Sequence, residues 1–250
     1  MKTACPLDAL QALLSEPPSG RRPRARHSRR AVAVPLDERW LALVQAHRLD
    51  ELRTALLQQQ RVLGLVAWLE QLVSPLAARV GEAWAAGELS VYQEHLFTEA
   101  VDSLLRETAA ALEAGPAGPV RQPRVLLTTL PGELHTLGLL MAQAVLAMER
   151  CDTLMLGPNT PLNDVAQAVS RLDVDVVALG TSAHAQPRAL VPELQRLRSL
   201  LPATVPLWVG GPAQTALGRR PLPDIVAVQH VGALQTLVQS WRVQRVRTAS

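Results

Sequence analysis

The chain has 250 residues, of which 48% are apolar and 19% are charged. This composition is typical of a globular protein and excludes a disordered chain. No stretch reaches the roughly 20 uncharged apolar residues of a membrane span, and the first residues lack the pattern of a secretory leader, so a cytoplasmic protein is expected. Two distant cysteines, Cys5 and Cys151, indicate neither a disulfide framework nor a cysteine-based metal site.

Positive charge is concentrated near the N-terminus. The segment 21–30, RRPRARHSRR, holds six arginines and no acidic residue, although the formal net charge of the chain is only +3. Such a segment buries too little apolar surface to offset the entropy of ordering it, so residues 1–35 are predicted to be a flexible basic arm. A solvated tail and an arm that contacts DNA or an acidic partner are both open interpretations.

Residues 36–114 show helical periodicity, with apolar side chains returning every three or four positions. The segment 40–57 is predicted to be one amphipathic helix. The segment 62–84 is predicted to be one long helix, or two helices separated near Pro75, because proline removes a backbone donor. Gly87 is expected to end this stretch.

A capping-box pattern opens the next predicted helix. Ser90 is followed three residues later by Gln93, whose side chain can reach back to the backbone N–H of Ser90. A helix over residues 91–112 follows from this pattern. Together with the preceding segments, it predicts a bundle of about four helices.

The pattern changes after a Gly- and Pro-rich segment, 115–123, which is interpreted as a linker. In residues 124–250, short apolar runs alternate with helix-length amphipathic segments, which predicts an α/β domain with a doubly wound, flavodoxin-like parallel sheet. Ligands of such sheets bind beyond the C-terminal ends of the strands, so the loops after the first, third and fourth strands are expected to form a site. The predicted strands lie at 125–130, 153–157, 174–180, 206–211 and 224–229, and the helices at 136–150, 161–172, 188–201 and 232–243.

The loop after the first predicted strand contains the pattern E-x-H-x-x-G, formed by Glu133, His135 and Gly138. The carboxylate is informative because a metal-bound histidine commonly donates its other ring N–H to an oxygen acceptor. His135 is therefore a candidate metal ligand and Glu133 its partner. Without a second His or Cys cluster, a metal already held by a macrocycle fits better than a closed zinc site. A surface or structural histidine is the alternative.

Two further loops carry small or hydroxylated residues at strand ends. Thr181 and Ser182 follow the third predicted strand, where a polar ligand atom could approach. Gly210 and Gly211 follow the fourth, where the absence of side chains lets a ligand approach the backbone. Each pair taken singly fits a routine turn, but their occurrence in order at matching strand ends favours a site.

These loops resemble the cobalamin-binding domain family, whose signature is D-x-H-x-x-G, a serine at a strand end and a Gly-Gly pair. The resemblance implies that His135 replaces the cofactor's dimethylbenzimidazole as the lower cobalt ligand, while the freed nucleotide tail passes Ser182, Gly210 and Gly211. Glu133 stands where the family more often has Asp. The resemblance also places other residues at the cofactor: Leu137, Gly138 and Thr181.

The helical half contains a second motif, W-x9-E-H, formed by Trp84, Glu94 and His95. It resembles the motif in the helical bundle of light-sensing cobalamin regulators of the CarH/LitR type, which implies that these residues cap the upper face of the corrin ring. A core tryptophan is the other interpretation of Trp84. Those regulators have histidine where this chain has Ala85, so the upper ligand is open. The other histidines considered for that position are His27, His47 and His95.

The chain shows no helix-turn-helix segment before the bundle and is similar to the AerR/PpaA group of antirepressors from photosynthetic bacteria. That resemblance implies a non-enzymatic, light-responsive regulator that binds adenosylcobalamin or hydroxocobalamin and acts on a partner transcriptional repressor. The second hypothesis is a corrinoid carrier subunit of a methyltransferase system. The third is an interaction module without a cofactor. The oligomeric state is not predicted.

Overall fold

The computed structural model describes residues 38–115, 121–182, 187–212 and 224–249, together with Leu217 and Leu222. The predicted basic arm and the middle of the predicted linker lie outside the described residues. No described helix is both long enough and apolar enough to cross a membrane.

The helical half forms the predicted bundle, in which three consecutive segments run on as a single helix. Its interior is filled by large side chains with at most 2% of their surface exposed, among them Trp40, Trp68 and Phe97. The elements are α1 (Glu38–Gln45), α2 (Leu49–Leu63), α3 (Leu65–Trp68), a π-helical turn (Leu69–Val73), α4 (Ser74–Ala85) and α5 (Val91–Glu113).

The segment 40–57 is two helices, so the prediction of a single helix is wrong. His47 has a φ of 57°, in the left-handed region. The N–H of Arg48 bonds to the carbonyl of Leu43 at 2.9 Å, which closes the end of α1. Apolar periodicity continues across this turn and no glycine marks it, which is why the sequence did not indicate the break.

The long helical segment also breaks at a different place from the one considered in the sequence. The interruption falls at Gly64, with a φ of 77°, and not near Pro75. The helix continues through Pro75 because the preceding turn is π-helical, with the N–H of Ser74 bonded to the carbonyl of Leu69. This wider turn accommodates the proline ring in the first turn of α4.

The predictions for Gly87 and for the last bundle helix are confirmed. Gly87 has a φ of 76° just after α4. Ser90 caps α5 with both bonds of the capping box, and its N–H donates to Gln93 Oε1 at 2.9 Å. This 23-residue helix is therefore fixed at its start by the bond that the sequence predicts.

The C-terminal half is the predicted doubly wound α/β fold. Within the described residues, five parallel strands pair in the order β2-β1-β3-β4-β5. This is the flavodoxin-like order, whose switch point lies between β1 and β3. The elements are β1 (Arg124–Thr129), α6 (Leu137–Met148), β2 (Asp152–Gly157), α7 (Leu162–Arg171), β3 (Val176–Gly180), α8 (Pro187–Leu200), β4 (Leu207–Gly210), β5 (Ile225–Val228) and α9 (Ala233–Ala249).

The bundle packs on the α/β half mainly through α5, which lies along α6. Asp102 of α5 accepts a hydrogen bond from Thr136 Oγ1 at 3.3 Å, next to the loop that holds His135. Eleven residues later, at the end of α5, Glu113 Oε1 accepts a bond from Thr153 of β2 at 2.9 Å. Two polar contacts therefore attach the second half of α5 to the α/β half.

Asp102 is buried in this contact with one carboxylate oxygen, Oδ1, lacking a hydrogen-bond partner. Burial raises the pKa of its carboxyl group, although the bond from Thr136 acts in the opposite direction. An unpaired buried oxygen costs about 1–3 kcal/mol. The sequence analysis did not single out Asp102, although an acid among the apolar positions of α5 is the signal that could have found it.

We expect Asp102→Leu to stabilise the protein by about 1 kcal/mol at pH 7, because the leucine has no oxygen to leave unpaired. The folded-state pKa lies above the unfolded value, so the cost of Asp102 is present when it is ionised and disappears as the pH falls towards 4. Urea unfolding of both proteins at pH 7 and pH 4 measures the effect. A stability difference that does not shrink at pH 4 would contradict this assignment.

Candidate functional site

Thr129, at the end of β1, shapes the loop that carries the first motif. Thr129 is fully buried. Its hydroxyl donates to the carbonyl of Glu133 at 2.6 Å and accepts the N–H of Asn159 at 2.8 Å. Asn159 Oδ1 in turn accepts the N–H of Gly132 at 2.8 Å. The loop is therefore tied both to β1 and to the turn after β2, a support that the sequence analysis did not identify.

The predicted contact between Glu133 and His135 is present. Oε1 of Glu133 lies 2.6 Å from Nδ1 of His135 and also accepts its backbone N–H at 3.0 Å. The other carboxylate oxygen, Oε2, accepts the backbone N–H of Ser182 at 2.8 Å. One carboxylate thus joins the loops after β1 and β3 across the switch point of the sheet.

The bonds to Glu133 keep it ionised. Burial alone would raise the pKa of its carboxyl group, but hydrogen bonds from Ser182 and His135 outweigh burial and lower the pKa to about 2. An ionised carboxylate can only accept, so Nδ1 of His135 carries the proton in their bond. Nε2, on the opposite edge of the imidazole, is then the nitrogen suited to bind a metal. The His135 side chain is 59% exposed and that of Glu133 only 10%.

We expect the free energy of unfolding of Glu133→Gln to change less with pH on the acidic side than that of the wild-type protein. The folded pKa of Glu133 is depressed, so its contribution is complete above its ordinary value of 4.5 and is lost as the pH falls to about 2. The wild-type protein should exceed the variant by roughly 2 kcal/mol at pH 6 and by almost nothing near pH 2. Urea unfolding across this range measures the difference, with Glu82→Gln on an exposed helix position as the control. If the difference in unfolding free energy between wild type and variant does not change with pH, the charge of Glu133 does not contribute to stability.

The loops after β3 and β4 hold each other through Thr181. Its hydroxyl donates to the carbonyl of Gly210 at 2.7 Å, and its backbone N–H bonds to the same oxygen at 3.2 Å. Gly211 has a φ of 87°, and a Cβ there would lie 2.1 Å from the carbonyl oxygen of Thr181. At Gly210 a Cβ would find no atom nearer than 3.9 Å. The Gly-Gly turn therefore requires glycine at its second position only.

A cavity of 440 Å³ opens between the C-terminal ends of the strands and the bundle. Gly138 at the start of α6, Gly180 at the end of β3 and Gly211 contribute backbone without side chains to one part of its wall. Leu69 and Glu70 of the π-helical turn line the opposite side. This cavity lies where a doubly wound sheet is expected to bind a ligand. Leu137, which precedes Gly138, is half-buried in the first turn of α6.

The residues of the W-x9-E-H motif lie at the surface of the bundle. Trp84 is 45% exposed, so the interpretation as a core tryptophan is wrong. Glu94 accepts a hydrogen bond from Thr98 Oγ1 at 2.8 Å, and His95 Nε2 lies 3.6 Å from a Glu94 oxygen. His95 lines an open groove of 670 Å³ together with Tyr92. Of the other histidines considered as an upper ligand, His27 lies outside the described residues, and His47 stacks on Tyr92 at 5.5 Å between ring centroids.

Helix α5 carries Glu94 and His95 of this motif and also contacts the loop of the first motif. His95 and Asp102 are seven residues apart, which places them on one face of the helix about 10 Å apart along its axis. Asp102 contacts Thr136, the neighbour of His135. The Glu94–His95 pair therefore lies about two helical turns from the point at which α5 contacts the residue next to His135.

The predicted site residues thus fall into two groups. Glu133, His135 and Ser182 form one bonded cluster, and Thr181 with the Gly-Gly turn stands beside it, around the cavity. The residues of the W-x9-E-H motif form a separate surface on the bundle. The fold thus places a histidine bonded to a carboxylate, a Gly-Gly turn and a cavity at the switch point, which is where proteins with a doubly wound sheet bind their ligands.

Comparison with known proteins agrees with this class. Two family models match the chain, each described as a B12 binding domain, one over residues 123–234 and the other over 37–107. The chain belongs to the B12-binding domain family, with the helical domain preceding the α/β domain. It is 34% identical over 185 residues to the HTH-type transcriptional repressor CarH of Myxococcus xanthus, an alignment that covers 72% of this chain and 60% of that protein.

A solved structure with a similar fold is the monomethylamine corrinoid protein of Methanosarcina barkeri. The two share 14% sequence identity with a TM-score of 0.60, over 80% of this chain and 94% of the other. Identity this low shows a common fold and nothing about the reaction.

The described residues fit a cobalamin cofactor. The positive φ of Gly211 and its close approach to Thr181 are possible because glycine has no side chain, so the Gly-Gly turn at the cavity leaves room where an extended tail could pass. His135 supplies one nitrogen donor whose orientation Glu133 fixes, which suits a metal that its own macrocycle already holds on four sides. Within the described part of the chain, no three His, Cys, Asp or Glu side chains lie close enough to hold a metal ion alone.

Proposed function

We propose that this protein is a cobalamin-dependent, light-responsive transcriptional regulator that acts as an antirepressor on a partner repressor. The observation that carries the proposal is the bonded cluster of Glu133, His135 and Ser182 at the switch point, together with an exposed W-x9-E-H motif on the helical side. The similarity to a transcriptional repressor over both of these regions favours regulation over catalysis. The chain spans 60% of that relative's length, so partner and signal are part of the proposal.

In this mechanism His135 would hold the cobalt of cobalamin through Nε2, while Glu133 would retain the Nδ1 proton and fix the imidazole plane. Ser182, Gly210 and Gly211 receive the nucleotide tail. Leu137, Gly138 and Thr181 line its path. Trp84, Glu94 and His95 would cover the cofactor on the bundle side and exclude water from it. Bound cobalamin supplies a cobalt–carbon bond that light can break.

Trp84 and Glu94 would make different contacts with the bundle side of the cofactor before and after light, so the bundle would prefer a different position on the α/β half in each state. A ligand shifts such an equilibrium only by its different affinity for the two positions. The partner surface would change with that shift. Adenosylcobalamin is the proposed dark form and hydroxocobalamin the form after light. Since Ala85 stands where related regulators have histidine, His95 is the bundle residue that would supply a nitrogen on that side of the cofactor.

The alternative is a corrinoid carrier, which shares the fold of the monomethylamine corrinoid protein. A carrier must expose the upper face of the corrin to a methyl donor and an acceptor. Tight coverage by Trp84 and Glu94 would hinder that exchange. Methyl transfer from methylcobalamin-loaded protein to a thiol acceptor, at rates that depend on a partner enzyme, would favour the carrier.

The test is the absorption spectrum of full-length protein mixed with adenosylcobalamin, in the dark and after green light, with Trp84→Ala and Glu94→Gln measured alongside. The proposal expects a stoichiometric dark complex and a light product whose spectrum differs from that of photolysed free cofactor. In both variants the complex formed in the dark should dissociate more readily than that of the wild-type protein. A light product identical to that of free cofactor would reject light sensing, and absence of binding would reject the proposed function entirely.

Three further statements stay predictions: contact of the basic arm with DNA, a cytoplasmic location, and the absence of a catalysed reaction. The first is tested by replacing the six arginines of segment 21–30 and measuring DNA affinity at low salt. Unchanged affinity would reject the DNA contact, because phosphate contacts dominate such binding at low salt.

A further inference from the structure

Glu70, on the π-helical turn, makes a second and separate attachment of the bundle to the α/β half. Its Oε1 accepts the backbone N–H of Gly232 at 2.8 Å and lies 2.8 Å from Nδ1 of His230. These partners are 160 and 162 residues away in the sequence. The contact therefore joins the bundle to the segment that leads into α9.

The absence of a side chain at Gly232 allows this contact. A Cβ built on Gly232 would lie 2.8 Å from Glu70 Oε1 and 2.8 Å from Val66 Cγ1. Both atoms belong to the bundle, so the approach of the bundle itself leaves no room for a side chain at this position. The backbone N–H of Gly232 lies at the N-terminus of α9, where exposed donors and the helix dipole favour a carboxylate.

The contact stands at the wall of the 440 Å³ cavity. Glu70 and His230 both line the cavity, as do Leu69 and Leu234 on either side of them. The π-helical turn contributes to this placement, because one additional residue per turn rotates the following helix by about 100° relative to the preceding one. Separation of Glu70 from Gly232 would open this wall while the contacts of α5 with α6 remain.

We propose that Glu70, His230 and Gly232 form a latch that closes the cavity wall, so that a ligand enters and leaves the cavity only when the bundle lifts at this point. The residues of the latch are positioning residues and do not bind the metal. The identity of the ligand as cobalamin rests on the proposed function, whereas the closure itself is a property of the chain without cofactor.

The first experiment measures the latch without cofactor. Amide hydrogen exchange of the full-length protein is followed in the peptide that contains Gly232, for wild type, Glu70→Ala, Gly232→Ala and the exposed control Glu82→Ala. We expect exchange to become about tenfold faster in the two latch variants, since losing a charge-assisted hydrogen bond changes an equilibrium by about this factor. The control should match wild type. Unchanged exchange in Glu70→Ala would overturn the latch.

The second experiment measures gating with adenosylcobalamin in the dark. Dissociation and association should both be about tenfold faster for Glu70→Ala than for Glu82→Ala, because the wall opens more often. Faster exchange at Gly232 with unchanged dissociation would overturn the proposal, since the contact would then not control the cavity. If wild-type protein binds no cobalamin, the proposed function fails and gating of that ligand fails with it, while the exchange experiment still decides whether the latch closes.

A disulfide bond between the bundle and the segment before α9 should slow ligand entry, the opposite of the effect expected for Glu70→Ala. Val66→Cys combined with Gly232→Cys, in a Cys5→Ser background, places two thiols where Val66 Cγ1 and the Cβ position of residue 232 nearly meet. Entry of adenosylcobalamin should be at least about tenfold slower in the oxidised form of this variant than in its reduced form, and a reducing agent should restore the faster rate. Equal entry rates in the oxidised and reduced forms would contradict gating at this point.

Discussion

The His135→Ala variant should bind adenosylcobalamin at least about 100-fold more weakly than wild type. Replacing groups that merely orient a metal ligand already costs about 10- to 100-fold in affinity, so loss of the ligand itself costs no less. The absorption spectrum of the remaining complex should match that of cobalamin with no nitrogen base on its lower face. Equilibrium titration in the dark measures the affinity and the spectrum together.

Imidazole added in solution provides the control for this variant. If Nε2 of His135 is the lower ligand, millimolar imidazole should restore the wild-type spectrum in His135→Ala without affecting wild-type protein. Glu133→Gln should retain the ligand but show weaker binding, because the amide no longer offers a charged acceptor to Nδ1. A His135→Ala complex with wild-type affinity and spectrum would reject His135 as the ligand.

Gly211→Ala should lower the free energy of unfolding by about 3–5 kcal/mol, although it adds only one methyl group. A Cβ at this position would lie 2.1 Å from the carbonyl oxygen of Thr181, and that atom is backbone and cannot rotate away. The φ of 87° adds its own strain for a residue other than glycine. Losses of this size in single variants are rare and arise from such steric conflicts.

The neighbouring Gly210→Ala variant is the matched control. Its Cβ would have no neighbour within 3.8 Å and its φ is not in the left-handed region, so we expect a change below about 1 kcal/mol. Urea unfolding of both variants gives the comparison. Equal effects at the two positions would show that the described geometry of the turn is wrong.

The fold was largely predictable because it follows from periodicity. Each of the five apolar runs became a strand of the parallel sheet, and Ser90 with Gln93 formed the predicted cap. The errors occurred where periodicity gives no signal. The left-handed turn at His47 needs no glycine, and the sequence around Pro75 does not reveal that a π-helical turn lets the helix continue through the proline.

The candidate site was predictable only within each loop. Glu133 and His135 are two residues apart, so their contact could be inferred from the chain itself. The bond from Ser182 to Glu133 joins loops 49 residues apart and depends on the strand order. The same applies to Asp102 with Thr136 and to Glu70 with Gly232, since tertiary packing selects these partners.

The attachment of α5 determines how the bundle can move. From Asp102 to Glu113 this helix is held against the α/β half, while α1 to α4 depend on Glu70 for their polar tie to α9. The bundle would therefore rotate relative to the α/β half about an axis along the second half of α5. His95 lies on α5 itself, so it would move least in such a rotation, whereas Glu70, on a neighbouring part of the bundle, would move further. The contact of Glu70 with Gly232 could therefore open while the loop around His135 stays in place.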